Sequence, residues 1–445
     1  MTWQERYRDK LATPDEAVQL VQSGDLVVFA LGSGGEPIAL GQALGRRASE
    51  LRDVRVLHAV ANNPYPWLQA PGEAFAPCSI YIGPFERGAV AGRWLDYIPW
   101  SYGTSRRQEW CDRWGAYTKP HVFMVKVSPP DDEGWCSFGH TVWYAPTAAR
   151  HARTVLAEVE PTFIRTGGDN RIHVSRIDRL VEGQPWPLTG QMAPVPPDEA
   201  EAAAVIGALA AELVQDGDCL QVGVGVASQA VLQFLGAKRD LGIHSELLLH
   251  EMVQLAQAGV ITGARKTVHP GKMVATCYIL WPGTEEQKAA AAWIDGNPDV
   301  ELYDIGYVAH VPRIAAHDRF VAINSALAID LTGQVAVDTL GATPYSGTGG
   351  SLDFVVGANF SEGGRSIHAI PSTAQQGQVS RIAHQFPAGA VPTIPRNYVD
   401  FVVTEYGVAS LQGKSLRERA KALIEVAHPQ FRDELEAAAR RLFWP

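Results

Sequence analysis

Two stretches of the chain carry the same order of apolar and polar positions. "LVQSGDLVVFALGSG" (20–34) and "LVQDGDCLQVGVGVA" (213–227) align at a constant offset of 193 residues, with Leu, Val, Gln, Gly and Asp coincident and Gly32 falling on Gly225. In each copy a helical pattern runs into a Gly-Asp turn, then an apolar strand, a glycine-rich turn and another apolar helix pattern. In the second copy that helix is "ASQAVLQFLGA", with Val231, Leu232 and Leu235 at helical spacing. Strand, glycine turn and helix form the front half of a βαβ unit, so the repeat predicts two tandem domains of related open α/β topology.

Between the copies, "VEGQPWPLTGQMAPVPPDEAE" (181–201) is rich in Pro, which disfavours helix and central strand, and reads as a linker. A single cut near residue 190 gives domains 1–190 and 191–445. Helix pattern resumes at Ala202–Leu213. "RFVAINSALAIDL" (319–331) and "YVDFVVTEYGVASL" (398–411) read as apolar strands, and a charged helical pattern from Ser415 to Leu442 follows.

Composition narrows the class. At 445 residues, with 46% hydrophobic and 19% charged, the chain suits a soluble enzyme of two or three domains. A formal charge of −10 argues against a nucleic-acid partner, which needs a basic face. The five cysteines are far apart and form no C-x-x-C pair, so neither a disulfide framework nor a cysteine metal site is expected. "MTWQERYRDK" has no apolar signal region, and no stretch approaches the ~18 apolar residues that span a bilayer. The expectation is a cytoplasmic protein without membrane or nucleic-acid partners and without metal.

Glycine turns are the first candidate chemistry. "QVGVG" places Gly223, Val224 and Gly225 at a strand end, where a backbone without Cβ lets a ligand approach. Ser228 breaks the G-x-G-x-x-G dinucleotide pattern. "YSGTGGSLDF" (345–354) sets Gly347, Gly349 and Gly350 close together, which suits backbone N–H groups presented to an anion or oxyanion. Other patterns fail: "HEMVQ" (250–254) lacks the second His of a zinc helix, and no G-x-S-x-G elbow occurs.

"LGIHSELLLHEMVQLAQAGVITG" (241–263) predicts a helix from Glu246 to Ala258, capped by Ser245 and stopped at Gly259, with Leu248, Met252 and Leu255 as its apolar stripe. Glu246 then either complements the helix dipole, for ~0.3–1 kcal/mol, or serves as an ionised nucleophile. Local chemistry leaves both readings open.

Taken together, "GIHSE" (242–246), "AGVITG" (258–263), "AINSALAIDLTGQV" (322–335), "YSGTGGSLDF", "IPSTAQQGQVSRI" (370–382) and "VVTEYGVASLQGKSLRERA" (402–420) resemble the acetyl-CoA hydrolase/transferase family of family I CoA-transferases. "VSPPDDEGWCSFG" (127–139) and "GGDNRIHVSRID" (167–178) match it more loosely. The resemblance implies two domains of CoA-transferase-like α/β topology with the active site where they meet. It implies a CoA-transferase acting on short-chain acids of the acetate, butyrate or 4-hydroxybutyrate type. An acyl-CoA hydrolase using the same glutamate and a dicarboxylate-specific transferase are the alternatives. It also implies a homodimer or larger assembly, and coenzyme A as substrate and covalent intermediate, with no tightly bound cofactor.

The family's nucleophile maps to Glu246, and ping-pong transfer would pass through an acyl-glutamyl anhydride and a glutamyl-CoA thioester. A free Glu, with a pKa of about 4.3, is ionised at neutral pH and needs no base. Gly223–Gly225 and Gly349–Gly350 are the expected oxyanion donors. Glu405 matches a second family acid, while Asn324 and Arg381 are candidate ligand contacts. The chain departs from the family pattern at Ser351, where Gln is usual, at Gln375, Gln376 and Gln378, where Lys is common, and at His310, in place of an asparagine.

Overall fold

The repeated Gly-Asp turn launches the first strand of a parallel sheet in each half of the chain. Gly24 (φ 79°) and Gly217 (φ 80°) adopt the left-handed turn conformation that L-residues avoid. Their N–H groups donate to Arg52 O and Arg239 O, each at 2.9 Å. The following carboxylates close the turn on the repeat's Gln, since Gln22 N donates to Asp25 Oδ2 at 2.9 Å and Gln215 N to Asp218 Oδ2 at 2.6 Å. Both acids are buried and each is answered by arginine, Arg153 on Asp25, Arg319 and Arg365 on Asp218.

The computed structural model describes residues 2–32, 34–104, 120–183, 195–280 and 283–444, and the chain divides into two units. Unit 1 comprises Met1–Gln191 with Ala275–Tyr307, and unit 2 comprises Met192–Val274 with Val308–Pro445. Most of the linker read from sequence, 184–194, lies outside the described residues, as does Cys111.

Unit 1 contains β1 (Leu26–Phe29), β2 (Val54–His58), β3 (Phe75–Ser79), β4 (Asp96–Tyr97), β5 (Val122–Val127), β6 (Thr154–Val159) and β7 (Arg179–Glu182), in the order β7-β6-β5-β1-β2-β3-β4. All these pairings are parallel. Helix α1 (Ile38–Arg46) follows the first glycine turn.

Unit 2 repeats the plan, with α2 (Pro197–Glu212) before its first strand and α3 (Val226–Ala230) after its glycine turn. Its strands are β8 (Cys219–Val222), β9 (Gly242–His244), β10 (Met273–Ala275), β11 (Phe320–Asn324), β12 (Arg365–Ala369), β13 (Phe401–Thr404) and β14 (Gly407–Ser410), in the order β14-β13-β12-β11-β8-β9-β10. Among these seven strands only the β13–β14 pairing is antiparallel. In both units the first strand is flanked by the second on one side and by a later strand on the other. The related topology expected from the repeat is present. Parallel strands covered on both faces read as continuous apolar runs, and Val27, Phe29, Val56, Met124, Leu220, Val222, Ile323 and Ile367 are all buried.

Three expectations change. A cut near 190 leaves 275–307 in the second half, whereas this segment belongs to unit 1. Val142 N and Trp143 N donate to Thr276 O, Tyr278 N to His140 O, Gly296 N to Arg165 O and Ile305 N to Trp143 O. Backbone pairing of this kind has no hydropathy signature. The charged C-terminal pattern is two helices, Leu416–Glu425 and Pro429–Phe443, because Pro429 cannot continue the first. The run 398–411 is the β13–β14 hairpin rather than one strand.

Asp218 ties two arginines at the starts of later strands to the first strand of unit 2. Arg319 Nε lies 3.2 Å from Oδ1, Arg365 bonds Oδ2, and Arg365 also donates to Leu213 O. Asp218→Ala removes the carboxylate from both arginines, which keep their other partners, and is expected to cost about 1.5–3 kcal/mol. Urea unfolding followed by tryptophan fluorescence should show the midpoint fall accordingly; an unchanged midpoint would contradict the anchoring role.

Candidate active site

The carboxyl ends of the parallel strands of unit 2 gather most of the residues singled out from sequence. Gly223 follows β8, Glu246 lies two residues beyond β9, Asn324 ends β11, Arg381 lies in the connection after β12, and Glu405 follows β13. In open α/β sheets this edge is where ligands bind, at the point where connections leave the first strand in opposite directions. That point is β8, and Gly223–Gly225 is its loop.

Glu246 does not begin a helix. Residues 247–248 are extended, and the helix, α4, runs only from His250 to Gln257 with Leu249 as its N-cap. The backbone stays in sheet register past β9, since Ser245 N donates to Val274 O at 3.0 Å. Met252 and Val253 form the buried face, while Leu255 is only partly covered. The dipole expected from α4 therefore does not act on Glu246.

Another helix takes its place. Gly350 is the N-cap of α5 (Ser351–Phe360), and its N–H donates to Glu246 Oε2 at 2.8 Å. A Cβ on Gly350 would stand 2.4 Å from that oxygen and 2.8 Å from the Phe354 ring, so only glycine admits the contact. Gly349 precedes it at φ 58°, and Gly347 and Gly349 are both buried.

The carboxyl is not an ordinary free one. Enclosure by protein raises the pKa of Glu246 from 4.5 to about 7; the Gly350 N–H pulls it down, and Asp353 pushes it up. The expectation of a fully ionised acid at neutral pH is thus corrected. Asp353, in the first turn of α5 and buried, had its signal in the "GGSLD" spacing but was not singled out.

The glycine turn after β8 is fixed from below. Gln221 and Asn324 exchange amide hydrogen bonds of 3.0 and 2.9 Å between adjacent strands. Asn324 is therefore engaged in the sheet, and a Cβ on Gly223 would meet its Oδ1 at 2.7 Å. Gly225 (φ 149°) packs on Ser325, whose hydroxyl donates to Ala369 O at 3.2 Å. Ser228 Oγ ties the carbonyls of Gly223 and Gly225 at 2.9 and 3.1 Å, and Val224 points outward.

Glu405 accepts Ser372 N at 2.9 Å and the Ser372 hydroxyl. Arg381 donates to Thr373 O, Ala326 O and Leu327 O at 3.1–3.2 Å, and burial lowers its pKa. Both act as clamps on their loops. Both also line a cavity of about 820 Å³, together with Glu199, Gln375, Tyr406 and His428. Glu246 is not among its lining residues.

The histidines near Glu246 divide. His244 is buried, its Nε2 bonds Val308 O at 2.8 Å, and burial followed by His317 and Lys266 keeps it neutral. It belongs to the core. His250, partly exposed at the start of α4, pairs with Glu251 at 3.2 Å. Among the described residues no group of three or more His, Cys, Asp or Glu is placed to hold a metal, and no helix is long and apolar enough to cross a membrane.

Comparison with known proteins adds the chain's kinship. Residues 1–188 match the acetyl-CoA hydrolase/transferase N-terminal domain, and residues 287–439 match its C-terminal domain. The chain is 39% identical to the 4-hydroxybutyrate coenzyme A transferase of Clostridium kluyveri, over 100% of both chains. It is 32% identical to the butyryl-CoA:acetate CoA-transferase of Anaerostipes caccae, over 98% of this chain and 97% of that one. The crystal structure of RipA from Yersinia pestis superposes with a TM-score of 0.89 at 34% identity, covering 100% of each chain. These full-length matches establish that the chain is an enzyme of the acetyl-CoA hydrolase/transferase family.

Proposed function

We propose that this enzyme moves CoA from a short-chain acyl-CoA to a carboxylic acid, with Glu246 as the covalent nucleophile. The observation that carries the reading is the Glu246 carboxylate resting on the Gly350 N–H at the start of α5. The relatives named for 4-hydroxybutyrate and for butyryl-CoA and acetate support acceptors of that size.

In the first step a Glu246 oxygen attacks the thioester carbonyl, the C–S bond breaks, and CoA leaves as thiolate. The product is an acyl-glutamyl anhydride. The thiolate then attacks the glutamyl carbonyl carbon, expelling the acyl group as its carboxylate and leaving a glutamyl-CoA thioester. An acceptor carboxylate reverses both steps. During attack on the glutamyl carbon, negative charge grows on the oxygen that Gly350 already faces, so that N–H is a preformed oxyanion donor. A carboxylate of pKa near 7 is more basic than a free glutamate, hence more nucleophilic, at the expense of being partly protonated at neutral pH. The Gly223–Gly225 turn is the proposed second source of N–H groups.

The reading is tested by thioester loss with and without a panel of acetate, butyrate and 4-hydroxybutyrate. Acceptor-dependent transfer is expected; equal loss without acceptor would identify a hydrolase. Glu246→Gln should lower turnover by about a thousandfold or more. In the free enzyme kcat/KM should rise about tenfold per pH unit below 7 and level off above it, as Glu246 deprotonates. A flat profile from pH 5.5 to 8 would contradict the ionisation assigned to this group.

Gly350→Ala isolates the oxyanion contact. Gly350 has φ −88° and ψ 0°, which alanine tolerates, so the damage is the Cβ pressed on Glu246 and on the Phe354 ring rather than backbone strain. A fall in kcat of about a hundredfold or more is expected, with thermal unfolding lowered by no more than the crowding of Phe354 costs, about 1–3 kcal/mol.

A further inference from the structure

Unit 1 buries two carboxyl groups that its cations do not answer. Glu36, just before α1, and Glu86, beyond β3, are 1% and 0% exposed. Both grip the loop that follows β2. Glu36 Oε2 accepts Asn62 N and Asn63 Nδ2 at 3.0 Å each, and Glu86 Oε2 accepts Ala61 N at 3.2 Å and Gly83 N at 2.5 Å. On each residue the other oxygen, Oε1, is buried without a hydrogen-bond partner. Neither acid forms an ion pair among the described residues. Glu158 and Glu160 of the same unit, by contrast, share Lys126 at 3.9 and 3.5 Å.

An ionised carboxylate with an unanswered buried oxygen is costly, and two on one loop are more so. The surrounding groups give little relief. Tyr65 beside Glu36 pulls that carboxyl down, as the Asn62 and Asn63 donors do, but burial outweighs them. Tyr144 feels both acids but donates to Phe29 O at 2.6 Å. Ser79, like the Gly83 and Ala61 N–H groups, pulls Glu86 down, again by less than burial raises it. Burial accordingly raises both carboxyls, Glu36 to about 7.

We propose that Glu36 and Glu86 take up a proton when the loop 59–65 closes on the glycine turn of unit 1, and that this proton locks the loop there. The turn depends on that loop, because a Cβ on Gly32 would stand 2.1 Å from Val60 O and 2.3 Å from Asn62 Nδ2. Gly32 is the counterpart of Gly225 in the repeat, so the device acts on the unit 1 copy of the turn proposed as an oxyanion source in unit 2. A carboxyl that ionises near 4.5 when exposed and near 7 when folded binds more protons in the closed state between those values. Stability from the closed loop is therefore complete at or below the lower value and is lost as pH rises toward the upper one.

Hydrogen exchange on the full-length enzyme, read by mass spectrometry on peptides covering 59–65 and corrected for intrinsic rates, tests this. From pH 5 to 7.5 the opening constant of the loop should rise at least tenfold, while peptides covering 320–324 stay flat. Glu36→Gln, a neutral isostere of the protonated acid, should keep the loop protected and remove most of that pH dependence. Glu86→Gln provides the same test if the first variant does not fold. A wild-type opening constant independent of pH, as when Tyr65 fully satisfies an ionised Glu36, would overturn the proposal. So would glutamine variants that keep the wild-type slope.

Discussion

A carboxylate that rests on the N-cap N–H of a helix leaves no space for a side chain there, and Glu246 and Gly350 stand in that relation. Much of unit 2 serves to hold the two partners at this distance. The β9 backbone continues in register to Ser245, so Glu246 leaves the sheet at a fixed point. The helix it meets is anchored by Phe354, which is buried and stacks on Phe320 of β11 at 6.2 Å. Nearby, the Gln221–Asn324 pair fixes the edge from which Gly223 and Gly225 project.

The electrostatics of this contact work in opposite directions. Enclosure by protein favours the protonated acid, Asp353 adds to that preference, and the α5 N-terminus favours the anion. The balance near neutrality leaves the proposed nucleophile basic and still available. Unit 1 uses the same element differently: Glu158 Oε2 accepts the N–H groups of Ala39 and Leu40 at the start of α1, but it is paired with Lys126. One carboxylate at a helix start lies 3.9 Å from a cation, the other beside the like-charged Asp353.

The repeat made the topology legible. Glycine, aspartate and the preceding glutamine recur because a left-handed turn, a buried carboxylate and its backbone cap are needed wherever such a sheet starts. The glycine loops were legible for the same reason, since close approach forbids Cβ. Glu246 was legible as a residue of interest only through the family's pattern, and its setting was misread. The apolar periodicity of 247–255 suits a helix, but strand register carried through Ser245 delays the helix to His250. The return of 275–307 to unit 1 left no trace because it is made of backbone pairing. The Glu36 and Glu86 pair was equally silent, as nothing in "GSGGEP" or "GPFERG" shows that its acids will be buried.

The account rests on a covalent bond to one residue. Mass spectrometry of the peptide containing Glu246, after brief incubation of the enzyme with butyryl-CoA, acetyl-CoA or 4-hydroxybutyryl-CoA and no acceptor, tests it most directly. The account predicts a CoA thioester on Glu246, removed by borohydride reduction and absent from Glu246→Gln. Turnover of any of these thioesters with no adduct on that peptide would contradict it.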